Sequence, residues 1–282
     1  YTYYYSLTYI SKGAIFYRNQ KENMKTIVIG DIHNHVDWIE PFLESYPHDS
    51  VIFLGDYFDS FRDNAKIAKK TSKWLAGSVF KENRIHLMGN HDMPYRFSNN
   101  IRQGCPGFSI EKLNIINKEF GLIDTLGLGK VWDQIKLAHF DHDNNFIFSH
   151  AGLSEDIFKC CPINGPNLVD YEKTITDTLE GLNTNPEFIS NVVGASGITW
   201  IRPEGFKLIP NVTQVVGHTP TWQYTMDTDG PNDGHPIVTT NESGGTMWNI
   251  DCCHTWVGVF EEGEFYGLDR TNTDITMKVA TR

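Results

Sequence analysis

The stretch Thr26-Ile27-Val28-Ile29-Gly30-Asp31-Ile32-His33-Asn34-His35 decides the fold of this chain. Its apolar run, rich in β-branched residues, predicts a buried strand that stops at Gly30. Asp31 and His33 follow at once, and residues two apart point the same way on an extended segment. A carboxylate and an imidazole that converge there suit a divalent transition metal. An Asp-x-His pair can also be a hydrogen-bonded pair that binds no metal. Whether similar residues follow later strands decides between a metal site and such a pair.

The pattern recurs because strands and helices alternate from Met24 onward. Apolar runs predict strands at residues 51–54 and 84–88, and helical spacing predicts helices at residues 36–46 and 64–75. Strand, helix, strand, helix, strand implies right-handed crossovers and a largely parallel sheet. In such a sheet, ligands gather at the carboxyl ends of the strands.

The later part of the chain adds two insertions and further strands. Residues 95–128 form a partly helical insertion, and residues 153–197 form a second one whose clearest helix is residues 171–182. A hairpin pairs residues 135–140 with residues 145–148. The last strands are predicted at residues 214–216, 237–238, 247–250 and 255–260. The final three alternate like an antiparallel second sheet.

The composition is that of a globular chain with no broad nucleic-acid surface. Its 282 residues are 40% hydrophobic and 21% charged, so a sizeable core can form. A formal net charge of -11 disfavours binding to the phosphate backbone of nucleic acids. No apolar run is long enough to span a bilayer, so no membrane partner is expected.

The amino-terminal residues differ in composition from the rest of the chain. Residues 1–23 are rich in tyrosine and lack a continuous apolar run, which argues against a secretory signal. We interpret them as an extension before a functional domain at residues 24–282, with an aromatic docking arm as the alternative.

Five cysteines include the adjacent pairs Cys160-Cys161 and Cys252-Cys253, which indicate reduced thiols and a cytoplasmic location.

Five strand ends present side chains that bind metals, namely Asp31 and His33, Asp56, Asn90 and His91, His150, and His218. Two cations about 3.5–4 Å apart need a ligand that binds both of them. Asp56 is the natural bridging ligand, because its strand follows the one that ends at Asp31. Asp31 and His33 then complete the first metal site. Asn90 joins the two later histidines at the other, and His91 is left for proton transfer. Any one motif could be a turn residue, a helix cap or a core histidine, but five in order favour a metal centre.

This series resembles the calcineurin-like metallophosphoesterases. The motifs are Gly30-Asp31-Ile32-His33, Gly55-Asp56-Tyr57-Phe58-Asp59, Gly89-Asn90-His91-Asp92, Ser149-His150-Ala151-Gly152 and Gly217-His218-Thr219-Pro220. The second and the last are similar to the phosphoprotein phosphatase branch and its bacterial and phage relatives. The resemblance runs from Met24 to the end of the chain.

The resemblance implies the fold, the ligands and the acid. The fold is an αββα sandwich of two mixed β-sheets flanked by helices, with helical insertions. The dinuclear metal centre takes its ligands from Asp31, His33, Asp56, Asn90, His150 and His218. The resemblance also pairs Asp59 with His91 as the dyad that protonates the leaving group of a phosphate ester.

Substrate binding is where this chain departs from the family pattern. The second motif usually continues with an arginine that grips phosphate, but Ser60 stands there, and Arg62 and Arg96 are candidate replacements. Thr199-Trp200-Ile201-Arg202-Pro203 resembles the Trp-x-Arg segment of bacterial members. Arg202, together with Asn90, is therefore the predicted substrate-binding residue.

Two further positions concern the backbone around the site. Asn34 replaces the usual glycine of the first motif, and asparagine tolerates a left-handed backbone better than most residues. Asp251, in a segment that resembles the strand near the family's carboxyl end, is interpreted as structural rather than catalytic.

Four functions compete. The first is a metal-dependent phosphomonoesterase, in which water activated by two metals attacks phosphorus in line. Its substrate is a phosphoprotein, as for a Ser/Thr phosphoprotein phosphatase, or a nucleotide or another phosphorylated small molecule. The second is a nucleotide pyrophosphohydrolase of the diadenosine tetraphosphate type. A diesterase or nuclease is disfavoured because Pro220 stands where that branch has a further histidine ligand. A non-catalytic scaffold is disfavoured because every ligand and acid position is filled. Manganese is the expected metal, with iron or zinc as alternatives.

Overall fold

The computed structural model describes residues 24–60, 63–98, 105–127, 129–155, 168–182, 194, 197–202, 205–223 and 234–278. Several sequence predictions lie outside these residues. They concern the extension at residues 1–23, Arg62, the pair Cys160-Cys161 and most of the second insertion. The domain limits therefore stay a prediction.

Twelve strands are present among the described residues. They are β1 (Lys25–Ile29), β2 (Ser50–Phe53), β3 (Arg84–Leu87), β4 (Ile135–Lys136), β5 (Ala138–Asp141), β6 (Phe146–Ser149), β7 (Thr213–Val216), β8 (Ile237–Thr240), β9 (Thr246–Asn249), β10 (Trp256–Glu261), β11 (Glu264–Asp269) and β12 (Thr276–Met277). The α-helices are α1 (Ile39–Ser45), α2 (Ala65–Ser78), α3 (Met93–Arg96), α4 (Ile110–Asp124) and α5 (Leu168–Leu182), and short 3₁₀ turns occupy Val131–Gln134 and Thr221–Gln223.

Two mixed sheets form the fold, as the sequence predicts. The seven-stranded sheet has the order β12-β11-β10-β1-β2-β3-β4, and the five-stranded sheet has the order β5-β6-β7-β9-β8. Strands β1, β2, β3 and β4 pair in this order and run parallel to one another, which confirms the predicted alternation of strands and helices. The carboxyl ends of β1, β2 and β3 therefore lie at one edge of the sheet.

Strand β1 is central because both of its faces are buried. Ile27 and Ile29 pack into the larger core with residues of α1 and α2. Val28 points the other way and packs between the two sheets with residues such as Phe148 and Trp248. A strand covered on both faces reads as a continuous apolar run rather than as an alternating one. This explains why residues 27–29 are all apolar.

The predicted strand at residues 135–140 is wrong as a single element. β4 pairs parallel with β3 in the first sheet, whereas β5 pairs antiparallel with β6 in the second. The chain crosses from one sheet to the other at Leu137, which is buried. The alternation shifts phase at the crossing, because the adjacent residues Leu137 and Ala138 are both apolar and both buried.

The predicted antiparallel second sheet at the carboxyl end is also only partly correct. β8 and β9 pair antiparallel in that sheet, but β9 pairs parallel with β7. β10 joins the first sheet instead, antiparallel to β1, and β11 and β12 follow it. Alternation reports a buried face and not the identity of the neighbouring strand.

The insertions contribute one long helix each. α4 packs on α2, and an ion pair joins Lys69 to Glu119 at 3.4 Å. α5 begins at Leu168, three residues before the helix predicted at residues 171–182. Among the described residues, no helix combines the length and apolar character that a bilayer crossing requires.

Candidate metal centre

The loops that follow β1 and β2 are tied together by their backbones. The amide of His33 donates to the carbonyl of Asp56 at 2.7 Å, and the amide of Asn34 donates to the carbonyl of Tyr57 at 2.8 Å. His33, Asn34 and Asp56 have φ values of 41°, 67° and 51°. Asn34 therefore adopts the left-handed backbone that the sequence predicts for it. The tight turns aim the following side chains at the edge of the sheet.

Two glycines leave room for the carboxylates. A Cβ atom on Gly89 would lie 2.0 Å from Oδ1 of Asp56, and one on Gly217 would lie 2.2 Å from Oδ1 of Asp31. Both distances are shorter than any real contact. Gly89-Asn90 and Gly217-His218 each therefore combine a predicted ligand with a glycine that accommodates the carboxylate of another motif.

The strand ends bring the predicted ligands into two groups that share Asp56. In one, ligand atoms of Asp31, His33 and Asp56 lie within 4.8 Å of one another, and in the other those of Asp56, His150 and His218 do. Nε2 of His33 is 3.7 Å from Oδ2 of Asp56, and Nε2 of His150 is 3.4 Å from the same oxygen. Oδ1 of Asn90 lies 2.9 Å from ring nitrogens of both His150 and His218 and thus belongs to the second group.

Each of these histidines is oriented by a backbone carbonyl. The contacts are His33 Nδ1 with Phe58 O (3.1 Å), His150 Nδ1 with Leu54 O (3.0 Å) and His218 Nε2 with Trp200 O (3.2 Å). A carbonyl only accepts, so the nitrogen that faces it carries the hydrogen. The other nitrogen faces a carboxylate oxygen of Asp56 or the amide oxygen of Asn90, which is where a bound cation would take its lone pair.

The electrostatics of the two groups fit divalent cations. Asp31 and Asp56 are both buried, and Oδ2 of Asp31 has no hydrogen-bond partner. Burial raises the pKa of Asp31 to about 6, and the charge of Asp56 adds to this against the opposing effect of His150. A cation between the carboxylates would satisfy the orphaned oxygen and offset their charge. Carboxylate, imidazole and amide donors together suit a first-row transition metal.

The second-group histidines differ in protonation. Burial, together with the charge of His150, lowers the pKa of His218 to about 3, so its ring is neutral and ready to ligate. Burial acts in the same direction on His150, but the carboxylates of Asp56 and Asp31 outweigh it and raise the pKa of His150 to about 10. A cation that binds His150 therefore displaces a proton.

His91 and Asp59 lie beside the first group. Nδ1 of His91 is 3.4 Å from Oδ2 of Asp59, and the amide of His91 donates to Oδ1 of Asp56 at 2.8 Å. The ring of His91 stands edge-on to that of His33, with 5.1 Å between centroids. Burial lowers the pKa of His91, but the charges of Asp56 and Asp59 outweigh it, and the pKa is raised.

The comparisons with known proteins agree with this geometry. A family model described as calcineurin-like phosphoesterase matches residues 24–234. The chain belongs to this family. It is therefore a phosphoesterase, a class of hydrolase that acts on phosphorylated substrates with divalent metals. No curated protein sequence matches the chain.

Solved structures similar to this calcineurin-like phosphoesterase are distant. A Saccharomyces cerevisiae protein serine/threonine phosphatase with similarity to human phosphatase PP5 is 13% identical, with a TM-score of 0.45 over 94% of this chain and 82% of that one. A metallophosphoesterase from Sphaerobacter thermophilus is 12% identical, with a TM-score of 0.35 over 85% of this chain and 84% of that one.

The arginines of this phosphoesterase fall in different places. Arg202 is exposed, and its Nη1 donates to Oγ1 of Thr219, next to His218, at 3.5 Å. Arg96 instead donates to the carbonyl of Ile135 at 3.0 Å. That contact argues against Arg96 as the replacement for the arginine missing at Ser60.

Asp92 is a site residue for which the sequence predicted no role. Its fully buried carboxylate accepts from the amides of Asp56, Tyr57 and Gly89, each at 2.9 Å. It therefore fixes the turn that carries Asp56. The sequence signal for Asp92 was its place in the Gly89-Asn90-His91-Asp92 motif, two residues after Asn90.

Asp251 is also buried, and its amide donates to Oδ1 of Asn249 at 2.9 Å.

Proposed function

We propose that this calcineurin-like phosphoesterase is a dinuclear, metal-dependent phosphomonoesterase. The observation that supports this most strongly is Asp56, whose carboxylate belongs to both ligand groups. The proposed ligands are Asp31, His33, Asp56, Asn90, His150 and His218. Bound there, two divalent cations, with manganese preferred to iron or zinc, would activate a water for attack on phosphorus and neutralise the phosphoryl oxygens.

The chain supplies the proton for the leaving group. His91 is held by its own amide on Asp56 and by Nδ1 near Asp59. Its Nε2 is then the nitrogen that gives a proton to the departing oxygen. Asp59 keeps the ring in this orientation and stabilises its charged form. Asn90 and Arg202 hold the phosphate, Arg202 from the rim beside Thr219.

The proposed substrates are phosphate monoesters of alcohols, including phosphoserine and phosphothreonine in proteins. A proton donor is needed most when an alkoxide leaves, and the His91–Asp59 contact supports this class. The free thiols of Cys105, Cys252 and Cys253 suit a reducing, cytoplasmic setting.

Removal of metal tests the proposal. We expect exhaustive chelation to lower phosphate release at least about 100-fold, because several kcal/mol of transition-state stabilisation is lost. Added manganese restores it, and elemental analysis finds two metals per chain. The substrates are a phosphoserine peptide, p-nitrophenyl phosphate, bis-p-nitrophenyl phosphate and diadenosine tetraphosphate. Undiminished hydrolysis by metal-free protein contradicts the proposal. Preference for the tetraphosphate assigns the protein to the pyrophosphohydrolases instead.

Arg202→Ala tests phosphate binding apart from metal binding. Charge-assisted hydrogen bonds contribute about 1.5–3 kcal/mol, so we expect KM and the inhibition constant of phosphate to rise roughly 10- to 100-fold. Metal content stays at the wild-type value. Lys136→Ala, which removes an exposed cation on β4, is the matched control. Unchanged KM and phosphate inhibition in Arg202→Ala exclude Arg202 from the substrate site.

A further inference from the structure

A buried polar cluster lies behind the proposed acid, and the mechanism above uses only one of its four members, Asp59. We name it the Lys112 cluster, and it consists of Asp59, Asp63, Tyr95 and Lys112. The side chains of Lys112 and Asp63 are each 6% exposed, and that of Asp59 is fully buried. Charged side chains are rarely this deeply buried unless they are paired. The pairing is therefore the feature to explain.

The contacts divide the two oxygens of Asp59 between different partners. Nζ of Lys112 donates to Oδ1 of Asp59 at 2.7 Å, and the hydroxyl of Tyr95 donates to the same oxygen at 2.6 Å. Oδ2 is left to face Nδ1 of His91 at 3.4 Å. Two donors on one oxygen thus fix the rotation of the carboxylate and aim the other oxygen at His91.

Lys112 joins the two carboxylates of the cluster. Lys112 also donates to both oxygens of Asp63, at 3.0 Å each, so one ammonium serves two carboxylates. Asp63 has further donors in the side-chain amide of Asn34, at 2.8 Å, and the backbone amide of Ser60, at 3.3 Å. These donors hold Asp63 in place, and Lys112, bonded to Asp63, in turn holds Oδ1 of Asp59.

The position of Lys112 in its helix is electrostatically unfavourable. α4 begins after the cap residue Ser109, whose hydroxyl accepts from the amide of Lys112 at 3.3 Å. Lys112 therefore stands in the first turn, where the helix dipole disfavours a cation. The ion pairs with Asp59 and Asp63 offset this. Lys112 also comes from the 95–128 insertion, whereas the proposed ligands come from strand-end segments.

We propose that Lys112 is a positioning residue for the leaving-group proton transfer, acting through Asp59 on His91. The inference rests on the proposed function of the same site. In the step, the Nδ1 hydrogen of His91 stays directed at Oδ2 of Asp59, and the Nε2 hydrogen moves to the departing oxygen as the phosphorus–oxygen bond breaks. Lys112 touches neither the substrate nor the metal ligands. Its effect is to hold Asp59 so that His91 is oriented.

The test compares two leaving groups in Lys112→Met. An alkoxide needs the proton and p-nitrophenolate does not, so kcat for a phosphoserine peptide falls roughly 10- to 100-fold, as for other residues that orient a reacting group. The kcat for p-nitrophenyl phosphate, both KM values and the metal content stay near wild type. Lys112→Arg restores part of the loss. Lys118→Met, which removes an exposed cation from the same helix, is the control.

The outcomes separate this inference from the proposed function. Equal loss on both substrates, an unchanged ratio between them, or loss of metal overturns the inference while the wild-type enzyme remains a metal-dependent phosphatase. If Lys112→Met does not fold, Tyr95→Phe, which removes one hydroxyl from Oδ1 of Asp59, must shift the ratio in the same direction, and an unshifted ratio overturns the inference. A crystal structure of the variant gives a readout without activity. Asp59 must turn away from His91, and a retained contact overturns the inference.

Discussion

Asp56→Asn is expected to release metal from both ligand groups and to lower phosphate-ester hydrolysis by at least about 100-fold, beyond the loss typical of residues that only orient a ligand. One oxygen, Oδ2, lies near both His33 and His150. In asparagine either that oxygen becomes an amide nitrogen, which is no ligand, or the other oxygen loses its contact with the amide of His91. Elemental analysis and phosphate release measure the two effects.

The substitution is suited to the test because it leaves the backbone unstrained. Asp56 has a φ of 51°, and asparagine adopts this left-handed conformation as readily as aspartate. Asp177→Asn, which removes an exposed carboxylate paired with Lys173 on α5, is the matched control and keeps full activity. Two metals per chain in Asp56→Asn show that the bridge has been assigned to the wrong residue.

His91→Ala is expected to slow hydrolysis of a phosphoserine peptide by about 10²–10⁴-fold, the usual contribution of a general acid. An alkoxide leaves poorly without a proton, whereas p-nitrophenolate leaves readily. Hydrolysis of p-nitrophenyl phosphate therefore suffers much less, and both metals remain bound. Rates on the two substrates and metal content are measured on the same preparation.

Asp59→Asn extends this prediction with a weaker version of the same pattern, because Asp59 orients His91 and does not itself touch the leaving group. His142→Ala provides a histidine control, since His142 is exposed and contacts Glu172 on α5. Equal slowing of both substrates in His91→Ala rules out the role of acid. Loss of one metal reassigns His91 to the ligands.

The order of strands β1 to β3 and their ligands could be predicted because the signals are local. A buried run such as residues 26–29 specifies a strand within a few residues, and Gly30 and Asp31 mark its end. Asn34 likewise announces its left-handed turn by its own chemistry. These signals recur in order along the chain, so the two groups around Asp56 were foreseeable before any contact was known.

Contacts between distant segments were not foreseeable in the same way. The carbonyl that orients His150 belongs to Leu54, which is 96 positions away. Any residue presents a carbonyl, so no side-chain pattern marks it. The Lys112 cluster could not be predicted either, because a lysine in the first turn of a helix is usually exposed to solvent. Its carboxylate partners lie far away in the sequence.

The sequence alone determined that strands end in candidate metal-binding side chains and that both faces of β1 are buried, since these follow from periodicity and turn chemistry over a few residues. The tertiary structure decided that residues 135–140 divide between two sheets and that β10 to β12 join the sheet of β1. It also decided which oxygen of Asp59 faces His91. Strand pairing and carboxylate rotation depend on which surfaces meet after long loops close, and that free energy is shared by residues far apart in the chain.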